Sequence, residues 1–141
     1  MPASKYTRKF SYEVLTPAGQ IIAAEAVSAV FPASDGEVGI LAGRAPLVTA
    51  LGAGRLVADE PGGQKREWFV SGGFAQVGNN RLVILAEQCV EIDQLDPAAA
   101  QAELEKARQM PVDNAAARKL RNDAVQTASR KAALAAGKGS R

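Results

Sequence analysis

The stretch GEVGILAGRAPLVTALGAG, residues 36–54, combines two demands that rarely share a backbone. Five glycines and one proline belong to a chain that turns repeatedly, whereas Val38, Ile40, Leu41, Leu47, Val48 and Leu51 belong to a core. Glycine enters positive φ freely and proline fixes φ near about −65°, so together they mark tight turns. Two short buried strands around those turns would satisfy both demands. On composition alone, a linker or a phosphate loop would also fit. A further solution is a turn held rigidly by its flanking strands as a docking surface.

The flanking sequence favours strands. In RKFSYEVLT, Phe10, Tyr12 and Val14 alternate with Ser11 and Glu13 before a TPAG turn. EAVSAVFPA puts Val27, Ala29 and Phe31 on one face. REWFVSGGFAQVGNNRLVILAEQCVEI is β-branched and aromatic, broken by Gly72-Gly73 and by Gly78-Asn79-Asn80, the second break being a hairpin tip. Leu82 to Leu85 is apolar on both faces, as in a strand between two layers. Residues 1–93 therefore read as an all-β sandwich or barrel.

From residue 94 to 141 the composition turns helical. Asp96 is placed as an N-cap with Pro97 at the first helical position, and LDPAAAQAELEKARQM is rich in alanine and straight-chain residues. Glu103–Lys106 and Glu105–Arg108 are spaced as i,i+3 pairs. Pro111 interrupts the pattern. Asp113 then caps a second helix, from Asn114 to about Ala136, which Gly137 and Gly139 end. The predicted apolar stripe is thin: Leu104, Ala107 and Met110 on one helix, Leu120, Ala124 and Ala128 on the other. Burial of such a stripe supplies most helical stability, so this hairpin is expected to be marginal and inclined to move. The fold class is α+β, a sandwich followed by a two-helix antiparallel hairpin.

Composition excludes much chemistry. The 141 residues are 47% hydrophobic and 23% charged, ordinary values for a globular domain with an appendage. There is no histidine, which removes Ser-His and Cys-His nucleophiles and imidazole metal sites. No phosphate-cradling glycine motif is present, and the terminal AAGKGSR lacks a following helix. Cys89 has no partner for an intramolecular disulfide. No apolar run approaches the roughly 20 residues of a membrane helix, and MPASKYTRKF lacks a signal-peptide core, so the cytoplasm is the expected compartment.

Charge divides along the same boundary. Residues 1–96 carry 8 basic and 11 acidic groups, residues 97–113 carry 2 and 3, and residues 114–141 carry 7 and 1. A basic helix suits nucleic acid, an anionic membrane or an acidic protein surface. The tail has no aromatic residue for base stacking and mainly alanine opposite its charge, which leaves the acidic protein surface. Two rival readings remain at this level. One is a nucleic-acid-binding β-barrel with a basic helical tail, disfavoured by the net acidic body. The other is a carboxylate enzyme built on acids such as Glu87 and Glu91.

With this organisation in place, FPASDGEVGILAGRAPLVTALGAGRL (31–56) resembles the signature of the epsilon subunits of bacterial F-type ATP synthases, G-E-x-G-I/V-x-P-G-H-A-P-L-x-T-x-L-x-x-G. FVSGGFAQVGNNRLVILAE (69–87) is similar to the same family's second segment. The resemblance covers residues 10–93 by motif and the tail by architecture. It implies a ten-stranded sandwich with a helical hairpin, no catalysis and no cofactor or metal. It also implies peripheral attachment at the cytoplasmic face of the bacterial plasma membrane, through the complex alone. The implied partners are the gamma subunit, the c-subunit ring and the alpha and beta subunits, without nucleic acid. The resemblance further implies coupling of proton flow to ATP synthesis and restraint of ATP hydrolysis.

In such a subunit Val38, Ile40, Leu47 and Leu51 would be buried while Glu37 and the Gly43-Arg44-Ala45-Pro46 tip face the c-ring. Arg118, Lys119, Arg121, Arg130 and Lys131 would reach gamma and the alpha and beta subunits. Two departures stand out. Arg44 replaces the family histidine and Ala42 the proline, so the tip is permanently charged. In the family's nucleotide motif [I/L]-D-x-x-R-A, here Leu95 to Ala100, Ala99 stands in the arginine position, so no nucleotide site is expected.

Overall fold

The computed structural model describes residues 8–137. Two compact units divide between Cys89 and Val90. The first contains the strands β1 (Phe10–Thr16), β2 (Gly19–Ala26), β3 (Ser28–Ala33), β4 (Gly36–Leu41), β5 (Leu47–Ala50), β6 (Gly54–Asp59) and β7 (Lys65–Gly78), with most of β8 (Arg81–Glu91). The sheet path runs β2-β1-β8-β7-β6-β3-β4, with β5 paired to β7. β1 and β8 are parallel, from Ser11 opposite Arg81 to Leu15 opposite Leu85. The other registered pairs are antiparallel.

Eight strands stand where ten were expected, chiefly because the Gly72-Gly73 step bends a strand without ending it. β7 pairs with β6 as far as Val70 and with β5 from Phe74 onward, so one chain segment serves two neighbours. Gly72 and Gly73 have φ of +71° and +98° at the bend. A Cβ on Gly73 would overlap the Leu85 carbonyl oxygen of the adjacent strand, so only glycine permits the approach. The second expected break is a true hairpin tip. Asn79 and Asn80 have φ of +52° and +58°, the two left-handed residues a type I′ turn requires.

Strand alternation fills the core. Phe10, Tyr12 and Val14 of β1 are buried, as are Ala29 and Phe31 of β3, Leu56 of β6, Trp68 and Val70 of β7, and Leu82 and Ile84 of β8. Full burial of a large apolar side chain contributes roughly 1.5–3 kcal/mol. Tyr12 and Trp68 meet edge to face with ring centroids 6.2 Å apart. Leu85 departs from its expected two-sided burial: it is 46% exposed. Its outward face borders a shallow apolar groove with Leu15, Pro17 and Gly73. An antiparallel-type body with one wet face, rather than a strand covered on both sides, accounts for that exposure.

The second unit begins with the end of β8 and a 3-10 turn, Ile92–Gln94, followed by α1 (Pro97–Arg108) and α2 (Ala115–Gly137). Asp96 caps α1 as expected, its carboxylate accepting from the Ala98 N–H at 3.0 Å. The cap of α2 is Asn114 rather than Asp113: its side-chain oxygen accepts from the Ala117 N–H at 2.8 Å. The shift is one residue because Asn and Asp cap equally well and the register of the first turn decides. Gly139 lies outside the described residues.

The interhelical seam holds Leu104, Ala107 and Ala128, with Met110, Ala124 and Val125 at its edge. Leu120, expected in the stripe, is 65% exposed, and Val125 replaces it. Glu105–Arg108 forms at 2.7 Å. Glu103 does not pair with Lys106; it spans to Lys131 on the facing helix at 3.1 Å. A bond across the seam displaced the local pair because Lys131 is held there by packing, with only 12% of its side chain exposed.

Candidate functional site

The turn between β4 and β5 is built by its neighbours as much as by its own residues. Gly43 adopts φ +81°, and the Arg44 N–H donates to the Leu41 carbonyl at 3.2 Å to close the turn. The Gly43 N–H donates to the Asn80 side-chain oxygen at 3.0 Å, and the Asn80 amide donates to the Lys9 carbonyl at 2.7 Å. The Asn80 carbonyl in turn accepts from the Ser11 N–H at 3.2 Å. One asparagine thus ties the turn to the β7–β8 hairpin and to the start of β1. Arg44 itself lies back along β4, its guanidinium donating to the Gly39 carbonyl at 3.0 Å. Gly43, Arg44, Ala45 and Pro46 are all exposed.

The apolar residues of this stretch are sorted by face. Ile40 and Leu51 are buried, as expected. Val38 and Leu47 are only partly buried against the core edge. Leu41 and Val48 point outward, at 41% and 67% exposure. The alternation of short edge strands explains the split, since each strand has one face toward the core and one away.

Glu37 sits at the opposite end of β4 from the tip, opposite Pro32 in the register. That end is pinned too. The Ser34 N–H donates to the Ala50 carbonyl at 3.1 Å and the Gly52 N–H to the Pro32 carbonyl at 2.8 Å. A Cβ on Gly52 would stand 2.7 Å from the Ala33 carbonyl oxygen. Glu37 and Arg44 are therefore not one cluster. The Glu37 backbone lies at one end of β4 and the Arg44 backbone beyond the other, although the Arg44 guanidinium reaches back to the Gly39 carbonyl in mid-strand. The two form no ion pair among the described residues.

On α2, Lys119 pairs with Asp123 at 3.1 Å and Arg118 donates to the Val112 carbonyl at 3.4 Å. Arg121, half-buried, donates to Asn122 at 3.3 Å. Arg130 is exposed one residue before Lys131. Ala99 is exposed in the first turn of α1, and Asp96 beside it is engaged as the cap. In the sandwich, Glu87 folds over the bare backbone of Gly72. Among the described residues no acidic, histidine or cysteine group is arranged to hold a metal ion.

A family profile described as "ATP synthase, Delta/Epsilon chain, beta-sandwich domain" matches residues 9–92. The chain belongs to this ATP synthase delta/epsilon-chain family. Similar members include the ATP synthase epsilon chain of Desulforamulus reducens, 41% identical over 97 residues, covering 69% of this chain and 73% of that one. The ATP synthase epsilon chain of Rhizobium meliloti is 30% identical over 99 residues, covering 70% and 74%. A chain in the Euglena gracilis mitochondrial ATP synthase (OSCP/F1/c-ring) superposes with a TM-score of 0.76 at 25% identity, covering 89% and 81%. A chain in the Tetrahymena thermophila mitochondrial ATP synthase central stalk and c-ring shares the fold, with a TM-score of 0.68 at 14% identity and coverage of 91% and 99%. Within the delta/epsilon-chain fold, two residues that the sequence alone did not single out meet the β4–β5 turn: Asn80, and Arg8, whose Nη2 would stand 3.3 Å from a Cβ on Gly43. Asn80 carried only a turn signal, and its bond to Gly43 spans 37 positions.

Proposed function

We propose that this chain is the epsilon subunit in the rotor of a bacterial F-type ATP synthase. In this reading it binds gamma, rests its β4–β5 turn on the c-ring, and transmits proton-driven rotation toward ATP synthesis in the alpha/beta head. It is non-catalytic and peripheral, held at the cytoplasmic face of the membrane by the complex. The observation carrying the reading is the braced turn: a polar, exposed tip on the family's sandwich, fixed at Gly43 by Asn80 and closed by its own backbone. A contact under torque must not yield, and a tip tied through Asn80 to the β7–β8 hairpin and the start of β1 is built to resist yielding.

The hairpin is read as the regulatory part. Its small-residue seam is a weak hold, so an opened form is energetically close. Arg118, Lys119, Arg121, Arg130 and Lys131 then offer a basic surface to acidic residues of the alpha and beta subunits. Because such contacts are screened by salt, inhibition of ATP hydrolysis is modest and fades at high ionic strength. Truncation after Asp96 tests both halves. Synthesis and proton pumping persist, and ATP hydrolysis rises or stays level. Loss of coupling on truncation would make the tail structural and sink its regulatory role.

A further inference from the structure

Lys131 stands on the inner stripe of α2, three residues after buried Ala128 and four before buried Ala135. With 12% of its side chain exposed, it faces α1 at a position where an apolar residue would hold the seam better. Its Nζ donates to both carboxylate oxygens of Glu103, 28 positions away, at 3.1 Å each. The neighbouring pairs Arg108–Glu105 and Lys119–Asp123 each stay within one helix, whereas Glu103–Lys131 crosses between the two. Arg118, Lys119 and Arg130 are exposed on the same helix, within reach of a partner while the hairpin is closed. Lys131 is withheld from any partner until the helices part. Enclosing an ammonium costs free energy unless a charge meets it, so Glu103 is what makes the closed position tolerable. A charge in this place gains a use once the hairpin opens.

We propose that Glu103 is an internal substitute for the acidic surface that α2 meets in the opened state. Closed, Lys131 is held by Glu103; opened, it exchanges that carboxylate for one on the alpha and beta subunits. The two carboxylates compete for one ammonium, so Glu103 sets what share of the chain is open and restraining hydrolysis. Because the ammonium is paired in both states, small differences between the two pairings decide the ratio. The inference rests on the regulatory reading of the hairpin and adds the group that keeps the hairpin shut. It also makes the two halves of one ion pair unequal in function.

The test measures ATP hydrolysis by the complex assembled with each variant, the chain truncated after Asp96 serving as the uninhibited reference. Hydrogen exchange around Ala128 in each purified chain reports closure. Glu103→Gln removes the internal competitor and keeps Lys131 for the partner. Exchange quickens, and the ratio of inhibited to active complexes rises about two- to fivefold, the range for a partly exposed ion pair. Lys131→Gln quickens exchange equally but loses the partner's carboxylate too, so its ratio stays close to native. E103K/K131E restores protection and turns an acid toward the partner, so its ratio falls below native. A merely structural bridge gives another pattern, in which E103Q and K131Q rise together and the swap matches native. That result would overturn the competition. So would a native ratio in E103Q, or a swap that fails to regain protection. Hydrolysis that stays level on truncation leaves no inhibition for the pair to set, and overturns the inference while the rotor assignment stands.

Discussion

Asn80 holds Gly43 from a position 37 residues away, accepting its N–H at 3.0 Å while donating to the Lys9 carbonyl at 2.7 Å. Asn80→Gly preserves the positive φ of the hairpin and removes both bonds. Each net hydrogen bond contributes about 0.5–1.5 kcal/mol, so the loss in stability is roughly 1–3 kcal/mol. Amide hydrogen exchange at Gly43 and Arg44 accelerates selectively. Unchanged exchange there would show the turn to be self-supporting.

Side chains of the quoted stretch differ in cost. Ile40→Ala costs about 2–5 kcal/mol, since Ile40 is 2% exposed and its removal leaves a cavity. Leu47→Ala costs less, because Leu47 is already partly solvated. Val48→Ala stays within about 0.5 kcal/mol, as for surface positions generally. Urea unfolding of the three variants gives the order directly, and equal midpoints would overturn the burial map.

Tyr12 sets an alkaline limit. Burial, then its 2.7 Å hydrogen bond to Glu60, raise the phenol well above its ordinary value. The unfolded chain ionises this group near pH 10 while the folded chain keeps it protonated. Its contribution is therefore complete below about pH 10 and declines as pH rises beyond that value. Between pH 9 and pH 11 the melting temperature falls more in the native chain than in Tyr12→Phe. Parallel declines would show that Tyr12 is not the group responsible.

Nucleotide binding follows from Ala99. Isothermal calorimetry on the purified chain detects no micromolar ATP binding. Ala99→Arg restores a charge-assisted hydrogen bond of roughly 1.5–3 kcal/mol, or about 10–150-fold in affinity. Micromolar binding by the native chain would refute the prediction.

The helical hairpin depends on Glu103 and Lys131. Glu103→Gln removes the charge that meets Lys131 at 3.1 Å and loosens α2 against α1. Hydrogen exchange around Ala128 then quickens at low salt and responds less to added sodium chloride than in the native chain. The charge swap E103K/K131E recovers most of the protection; failure to do so would reduce the pair to a bystander.

Local signals carried much of this structure. The alternation in Phe10, Tyr12 and Val14, the Asn79-Asn80 tip and the Asp96-Pro97 helix start each depend on residues a few positions apart, and each is read correctly from them. What escaped depends on distant pairings. Leu85 looked buried because its neighbours are apolar, but its exposure is set by which face β1 and β7 leave open. Leu120 fitted a helical stripe, yet the rotation of α2 against α1 selects Val125. The separation of Glu37 from Arg44 likewise needs the length and register of β4, and the contact of Arg8 with Gly43 needs the whole sheet order.

The parallel pairing of β1 with β8 has a consequence for how the chain is made. Ser11 leaves the ribosome 70 residues before its partner Arg81. At synthesis rates of about 5–20 residues per second, that interval is roughly 4–14 s. The β1–β2 hairpin can close early, but it has no second neighbour for β1 until nearly the entire sandwich has been translated. Throughout that interval Phe10, Tyr12 and Val14 await most of the side chains that will enclose them. A nascent chain arrested before Arg81 therefore presents an unsheltered apolar ribbon, and holdase chaperones should engage it there and release it once the final strand emerges.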